Sequence, residues 1–172
     1  MAADQVLLVD TRQQAGKHAV KDAWFAAHGV ATERRKLDFG DYMVAGSNVS
    51  VDTKQSVQEL AGNVGREHAR FVRECERARA AGFRLVVLVE EHPEYANRDL
   101  MVGWVPYACR TCMRCRPLTD RGCLRYRVKP LGGSRLARVL ATIEERHGVR
   151  FEFCRREDTA LRICRILGVR HT

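Results

Sequence analysis

Apolar runs and amphipathic stretches alternate along the chain in a pattern that predicts an α/β fold. Short apolar or alternating runs are typical of strands and occur over 6–9, 30–36, 40–44, 49–54, 84–90 and 149–153. Apolar residues three or four positions apart predict helices over 15–28, 56–63, 66–81, 134–147 and 158–167. Strands and helices alternate at both ends, with several consecutive strands between. We therefore expect a mixed β-sheet flanked by helices.

The first predicted helix, over 15–28, shows how a face is assigned from such a pattern. Ala19, Ala23, Trp24 and Ala27 fall on one side of this helix, and Gly29 follows its end. This side is expected to face the core.

The 172 residues suit one domain, which we expect to have three parts. Residues 5–91 would form the core of the fold, and residues 133–172 would complete it with a helix, a strand and a helix. Residues 92–132 form a cysteine-rich insertion with no periodic apolar pattern. It is too long for an ordinary connection, so a functional role is expected of it.

The charge of the chain is strongly basic. It has 30 lysines and arginines against 21 acidic residues, a net charge of +9, and only five of the basic residues are lysines. Arginine binds phosphate oxygens with a planar pair of donors, so DNA is an expected partner. GC-rich coding is the alternative explanation of the arginine excess. We find no targeting signal and no apolar run long enough to span a membrane, and we expect a cytoplasmic or nucleoid-associated protein.

Three carboxylates lie at strand ends or edges: Asp10, Asp41 and Asp52. Lys54 lies two residues beyond Asp52, so a strand directs both side chains to one face. Converging carboxylates can bind Mg²⁺ or Mn²⁺, which prefer oxygen ligands, and such an ion activates water for phosphodiester hydrolysis. A neighbouring lysine can stabilise the developing negative charge. Solvated strand-end acids are the alternative, because Asp-x-Lys also occurs by chance.

Four segments resemble a known family. They read V-D-T-R-Q over 9–13, F-G-D-Y over 39–42, V-D-T-K over 51–54 and L-V-V-L-V-E over 85–90. Residues 5–91 are similar to the nuclease domain of the xeroderma pigmentosum group F (XPF) family, within the restriction-endonuclease-like PD-(D/E)xK superfamily. The last third of the chain resembles small, stand-alone prophage-type members of that superfamily.

The resemblance implies a restriction-endonuclease-like fold with an active site at Asp10, Asp41, Asp52 and Lys54. Asp41 and Asp52 would bind the Mg²⁺ or Mn²⁺ ion, and Arg12 would approach substrate phosphate or order the site. A homodimer or a heteromeric nuclease partner is compatible with the resemblance.

The chain departs from the family pattern at several positions. The family's E-R-K is here Asp52-Thr53-Lys54, and Gln13 replaces the glutamate after Arg12. Gln58 replaces the acid four residues past the lysine, with Glu59 next to it. The 172 residues also leave no room for the tandem helix-hairpin-helix module that many members contain.

Arginines recur at helical spacing after the D-x-K motif. Arg66, Arg70 and Arg73 form a stripe that we expect to contact DNA phosphates, because in the family this helix follows the catalytic strand. A solvent-exposed face held by salt bridges is the alternative.

Four cysteines lie within fifteen residues, spaced C-x2-C-x2-C-x7-C: Cys109, Cys112, Cys115 and Cys123. Four thiolates can bind a structural Zn²⁺ ion and so order a segment that lacks a core. An iron–sulfur cluster or no metal at all are the alternatives. The three other cysteines lie on apolar faces and are expected in the core: Cys75, Cys154 and Cys164.

The cysteine-rich insertion also interleaves basic and aromatic residues, a pattern that suits DNA backbone contact and base stacking. The aromatic residues are Trp104, Tyr107 and Tyr126, and the basic residues are Arg110, Arg114, Arg116, Arg121, Arg125 and Arg127. A solvated, charged loop is the alternative.

The function predicted from the sequence is that of a metal-dependent DNA endonuclease that hydrolyses phosphodiester bonds, with branched or flap DNA as a candidate substrate. One alternative is an inactive DNA-binding module or partner subunit of the same fold. Another is a thiol-based metal or redox sensor built on the cysteines.

Overall fold

A six-stranded mixed sheet organises the chain in the computed structural model, which describes residues 5–13, 16, 18–115 and 122–172. The strands are β1 (Leu7–Asp10), β2 (Thr32–Arg35), β3 (Tyr42–Val44), β4 (Val49–Lys54), β5 (Arg84–Glu91) and β6 (Arg150–Arg155). They lie in the order β2-β1-β3-β4-β5-β6. Strand β3 is antiparallel to β1 and β4, and the other neighbours are parallel. The predicted mixed α/β fold is confirmed.

Helices pack on both faces of this sheet. They are α1 (Ala19–Ala27), α2 (Val57–Val64), α3 (His68–Ala80), α4 (Arg98–Met101), α5 (Tyr107–Arg110), α6 (Gly133–His147) and α7 (Thr159–Leu167). Short 3-10 turns lie at Pro93–Tyr95 and Arg156–Asp158. The five helices predicted from periodicity are present, with ends shifted by a few residues.

Two apolar clusters form the core, one on each face of the sheet. Helices α2, α3 and α6 cover one face, where Leu60, Phe71 and Leu140 are buried against β5. Helices α1 and α7 cover the other face, with Phe25 and Ile163 buried. Each such side chain contributes about 1.5–3 kcal/mol by leaving water, so the sheet has a strong apolar support on both sides.

Helix α1 faces the sheet with residues other than those predicted. It begins at Ala19, and Ala15, in the predicted range, lies outside the described residues. Lys21 and Phe25 are buried, whereas Ala23 and Ala27 are exposed. The predicted alanine face was wrong because the ring of Phe25 buries far more apolar area, and because Lys21 has a buried partner on β5.

The cysteine-rich insertion, residues 92–132, is more structured than an irregular segment. It contains α4, α5 and the Pro93–Tyr95 turn, and its Met101 and Trp104 are fully buried in the core. The prediction that Trp104 stacks on DNA was therefore wrong. Arg116 and Arg121 lie outside the described residues. Within the described ranges, no helix is both long and apolar enough to cross a membrane.

Candidate active site

A cleft of about 480 Å³ opens where β1 and β4 end and β3 begins. Because parallel strands end at the same edge of a sheet, the predicted acids meet there. Its lining includes all four residues of the predicted catalytic set: Asp10, Asp41, Asp52 and Lys54. Arg12, Gln13, His18, Glu59, Arg70 and Glu74 also line it.

Gly40 sets the position of Asp41 at the start of β3. Its φ of +66° lies in the left-handed region, and a Cβ there would collide with the Ser50 hydroxyl and the Val51 carbonyl oxygen. The Asp41 amide then donates to the Val51 carbonyl at 2.7 Å, and the Asp41 carbonyl accepts from the Asp10 amide at 2.9 Å. Asp41 is thus joined to both acidic strands through its backbone.

Thr53 anchors the side chain of Asp41. Its backbone amide donates to Asp41 Oδ2 at 2.8 Å, and its hydroxyl donates to the same oxygen at 2.5 Å. Thr53 is buried, so this oxygen is held in one place. The residue that replaces the family's arginine therefore has a role in the cleft.

Asp52 and Lys54 form an ion pair on the cleft side of β4. Lys54 Nζ lies 2.7 Å from Asp52 Oδ2, and each side chain is about 15% exposed. Burial raises the pKa of Asp52 to about 6, against the opposing effect of Lys54, and nearby Asp41 raises it further. Burial alone lowers the pKa of Lys54, but the Asp52 carboxylate outweighs it and the pKa is raised. The cleft is thus short of positive charge.

Asp10 is bound to Arg12. Asp10 Oδ2 accepts from Arg12 Nε at 2.6 Å, and Asp10 Oδ1 accepts from the Arg12 amide at 3.2 Å. The same guanidinium donates to the Leu37 carbonyl at 2.7 Å, while 59% of the Arg12 side chain stays exposed. Arg12 therefore ties β1 to the segment after β2 and also borders the cleft.

A buried ion pair between α1 and β5 had not been predicted. Lys21 on α1 donates to Glu90 at the end of β5, and both residues are buried. His18, one turn before Lys21, lines the cleft, and burial followed by the charge of Lys21 lowers its pKa. The signal in the sequence was a carboxylate at the end of the most apolar strand, since such a group needs a cation to be buried.

Two more cleft acids come from helices. Glu59 belongs to an S-x-x-E capping motif at the start of α2: its amide donates to the Ser56 hydroxyl at 3.1 Å, and its carboxylate accepts from the Gln55 amide at 2.8 Å. Glu74 reaches the cleft from α3. Gln58, at the family's acid position, points elsewhere and accepts from the Tyr107 amide at 3.0 Å.

The three arginines of the predicted stripe lie in different surroundings. Arg70 lines the cleft and pairs with Glu67 at 3.1 Å on the surface. Arg66 precedes α3 and lines a second cavity, whereas Arg73 is exposed on α3. The structure therefore brings Arg12 and Arg70 to the acidic residues, with Arg66 one helical turn away.

The oxygen donors of Asp41 and Asp52 fit a hard divalent cation. Two carboxylates share one partly buried cleft, where burial raises the pKa of Asp52 and the charge of Asp41 raises it further. Within 5–13, 16, 18–115 and 122–172, however, no three histidine, cysteine, aspartate or glutamate side chains are gathered closely enough to hold a metal ion.

Of the four clustered cysteines, Cys109 is buried, and Cys112, Cys115 and Cys123 are partly exposed. Burial raises the pKa of the Cys109 thiol, and electrostatic interaction with the other three cysteines raises it further. Cys123 Sγ accepts from the Tyr126 amide at 3.2 Å. By contrast, Cys75, Cys154 and Cys164 are buried in the core as predicted.

Comparison with protein-family models gives one match over most of the chain. The model of the ERCC4 domain matches residues 9–166, which include the cleft and all four clustered cysteines. A comparison with curated proteins found no match.

Proposed function

Because the chain belongs to the ERCC4 domain family, a nuclease family, we propose that it is a metal-dependent endonuclease that hydrolyses phosphodiester bonds in DNA. The observation that carries this proposal is the convergence of Asp41, Asp52 and Lys54 in one cleft. The match and the resemblance of the motifs support the same conclusion independently of the geometry.

Asp41 and Asp52 would bind Mg²⁺ or Mn²⁺. When bound, the ion polarises the phosphodiester and lowers the pKa of a coordinated water. Asp41 Oδ2 is committed to Thr53, so Oδ1 is the atom available to a cation. Asp52 would supply a second negatively charged ligand, and its partial burial limits the water that competes for the cation.

Lys54 acts as a hydrogen-bond donor at the reacting phosphate. Its ammonium group lies 2.7 Å from Asp52 Oδ2, which fixes its position beside the metal ligands. A held cation there stabilises negative charge on the phosphate oxygens as water attacks. Asp10 serves in this proposal as a positioning residue, because it orients Arg12 at the border of the cleft.

DNA binding would use the arginines around this acidic centre. Arg12 and Arg70 border the cleft, and Arg66 and Arg73 extend the positive surface along the start of α3. Affinity is then expected to fall steeply with salt, because bound phosphates release counterions. Arg70→Glu is expected to weaken binding more than Arg165→Glu, since Arg165 lies in a separate cavity bordered by β5, β6 and α7. The reverse order would contradict this surface.

The deciding experiment is a titration of Mg²⁺ or Mn²⁺ in cleavage assays on duplex, flap, forked and single-stranded DNA. The wild type is compared with Asp41→Ala, Asp52→Ala and Lys54→Ala, each checked for folding by circular dichroism. Metal-dependent cleavage that all three variants lose supports the proposal. DNA binding without cleavage on any of these substrates would identify an inactive DNA-binding module instead.

We also propose a structural zinc ion bound by Cys109, Cys112, Cys115 and Cys123. The spacing of the four cysteines in one short segment supports it, because four thiolates are a typical ligand set of structural zinc, and the N–H···S bond at Cys123 suits a ligand thiolate. Elemental analysis of protein purified without chelator is expected to give about one zinc per chain. Stoichiometric iron would favour an iron–sulfur cluster, and neither metal would refute the site. The homodimer, the heteromeric partner and the cytoplasmic location stay predictions.

A further inference from the structure

A pocket of about 330 Å³ lies at the starts of β5 and β6, beside α7. Four arginines line it: Arg84, Arg150, Arg162 and Arg165. The first two begin the two strands, and the other two lie on α7. We call this cavity the α7 pocket.

The α7 pocket contains more positive charge than its one carboxylate can balance. Glu152 accepts from Arg162 at 2.9 Å and lies 3.2 Å from Arg150 Nε, so two of the arginines already share it. Among the described residues, Arg84 and Arg165 form no ion pair. Four guanidinium groups against one carboxylate leave three positive charges close together, which is unfavourable unless an anion binds between them.

One hydrogen-bond donor of the pocket also lacks an acceptor. Arg162 Nε is buried and has no hydrogen-bond partner in the described part of the chain, although another nitrogen of this guanidinium donates to Glu152. Buried N–H groups of folded proteins nearly always have a partner. A guanidinium group binds a phosphate through two neighbouring N–H groups. The unpaired donor therefore indicates a ligand with anionic oxygen atoms.

The rest of the lining favours a phosphate backbone over a small nucleotide. Besides the charged residues, Val86 and Ile166 line the pocket, which within the described ranges has no aromatic, hydroxyl or amide side chain to recognise a base or a sugar. Arg162 and Arg165 are three residues apart on α7, a separation of about 5–6 Å that suits about two successive phosphates of one strand. Such contacts bind DNA of any sequence.

The α7 pocket and the active-site cleft lie on opposite faces of the sheet. Val86 belongs to the apolar cluster beneath α1 and α7, and so does Val51. Side chains alternate along a strand, so Asp52 faces the other side. The cleft opens where β4 ends, whereas the pocket lies where the parallel strand β5 begins. A short duplex at the cleft therefore cannot also reach the pocket, because the sheet lies between them.

We propose that the α7 pocket binds the phosphate backbone of a second DNA segment while the cleft holds the first. The identity of this partner rests on the proposed nuclease function, whereas the charge imbalance of the pocket involves no residue of the cleft. The protein then joins two duplexes, or two arms of one branched DNA molecule, and cuts the segment at the cleft.

Two arginines of the pocket can be changed without disturbing its ion pairs. Arg84→Gln combined with Arg165→Gln removes two positive charges and leaves both partners of Glu152 in place. Both positions are exposed, so the fold is expected to be retained. Arg138→Gln combined with Arg146→Gln is the matched control, because it removes the same charge from exposed positions on α6.

The test is a capture assay in buffer without added Mg²⁺ or Mn²⁺ and without chelator. A sparsely immobilised duplex of about 20 base pairs binds the protein, and a free fluorescent duplex is then added. Wild type and the α6 control are expected to retain the second duplex. The pocket variant is expected to bind it about tenfold more weakly, with a smaller salt dependence, because two phosphate contacts are lost. Its binding to the first duplex is expected to change less than about twofold.

Several outcomes would overturn the assignment of the pocket. One is a wild type that retains no second duplex. Another is equal retention by the folded pocket variant, the result expected if a dimer carries one duplex in each cleft. Calorimetry with pyrophosphate and with polyglutamate tests other anions. If the wild type retains no second duplex but binds one of these probes, and the pocket variant does not, the pocket belongs to a small phosphorylated ligand or to an acidic protein segment.

The assay also separates this inference from the proposed function. A protein that cleaves DNA but retains no second duplex keeps the proposed function and loses the second DNA site. A protein that retains the second duplex through Arg84 and Arg165 but cleaves none of the substrates supports the second site and refutes the nuclease.

Discussion

The active-site cleft and the cysteine-rich insertion hold their chemical groups in two different ways. In the cleft, backbone bonds between strands place Asp41, and buried Thr53 fixes its carboxylate. In the insertion, Cys123 Sγ accepts from the Tyr126 amide, and Cys109 lies on α5, a helix of only four residues. The sheet therefore prepares the first region, whereas in our proposal a zinc ion orders the second.

The two regions also differ in how far their carboxylates or thiols lower the free energy of unfolding. The cleft confines Asp41 and Asp52 near each other with little solvent, which is unfavourable for the metal-free protein. The sheet tolerates this unfavourable free energy because both of its apolar faces are buried. In the insertion, Met101, Trp104 and Cys109 are buried, whereas Cys112, Cys115 and Cys123 are partly exposed.

The largest effect is expected from a substitution in the active-site cleft. Asp52→Asn keeps the shape of the side chain but removes the charge that would bind the cation, so the cleavage rate is expected to fall about a thousandfold or more. Single-turnover assays measure it, with Asp99→Asn as the control because Asp99 is exposed on α4. Wild-type cleavage by a folded Asp52→Asn protein would show that this carboxylate has no part in the reaction.

The second prediction concerns how far the buried Asp52 carboxylate lowers the free energy of unfolding. The pKa of Asp52 is about 6 in the fold, against 3.8 ordinarily. The folded protein therefore binds more protons between these values, and the free energy of unfolding falls as pH rises through them. Relative to Asp52→Asn, the wild type without added Mg²⁺ or Mn²⁺ is expected to lose up to about 3 kcal/mol between pH 4 and 7.

Urea unfolding of both proteins at several pH values measures this difference. Asp99→Asn is again the control, and its difference from the wild type is expected to stay constant across the same range. Comparing two chains that differ at one carboxylate cancels the titration of the other groups. A constant difference for Asp52→Asn would mean that Asp52 is not strained by its surroundings.

The sequence predicted the sheet and the closeness of Asp52 and Lys54 because both depend on local patterns. Strand β4 was predicted over Val49–Lys54 and is found there, and the two-residue spacing of Asp52 and Lys54 does bring them together. The match to the ERCC4 domain confirms the family that the motifs suggested. A strand's period of two residues and a motif of three residues can be recognised without any knowledge of distant contacts.

Features that depend on distant partners were not predictable in this way. Lys21 is buried because Glu90 meets it from 69 positions away, and no pattern within α1 shows this. Trp104 belongs to the core although its neighbours in sequence are irregular. The second cavity, which Arg66 lines, likewise arises only when residues near 62, 128 and 135 come together in the fold.

The third prediction tests whether bonds from Thr53 prepare the cleft. Thr53→Val keeps the branched shape but removes the hydroxyl that donates to Asp41 Oδ2, leaving only the backbone amide. The Mg²⁺ concentration for half-maximal cleavage is expected to rise about tenfold, since residues that orient metal ligands contribute about that much to affinity. Thr53→Ser retains the donor and is expected to resemble the wild type. Equal Mg²⁺ dependence in all three proteins would contradict a positioning role.

The smallest effect is expected from a substitution in the cysteine-rich insertion. Cys112→Ser removes one of the four proposed zinc ligands, so bound zinc is expected to be lost and amide exchange to increase over 105–115 and 122–129. DNA affinity is expected to fall about three- to tenfold, because the basic residues of the insertion lose their fixed positions.

The Mg²⁺ concentration for half-maximal cleavage is expected to stay within about twofold, since Asp41 and Asp52 are held by the sheet rather than by the insertion. Thr111→Ser, at the neighbouring exposed position, controls for any change in this segment. A Cys112→Ser protein that loses its Mg²⁺ response together with its zinc would show that the two regions form one site, and the contrast between them would fail.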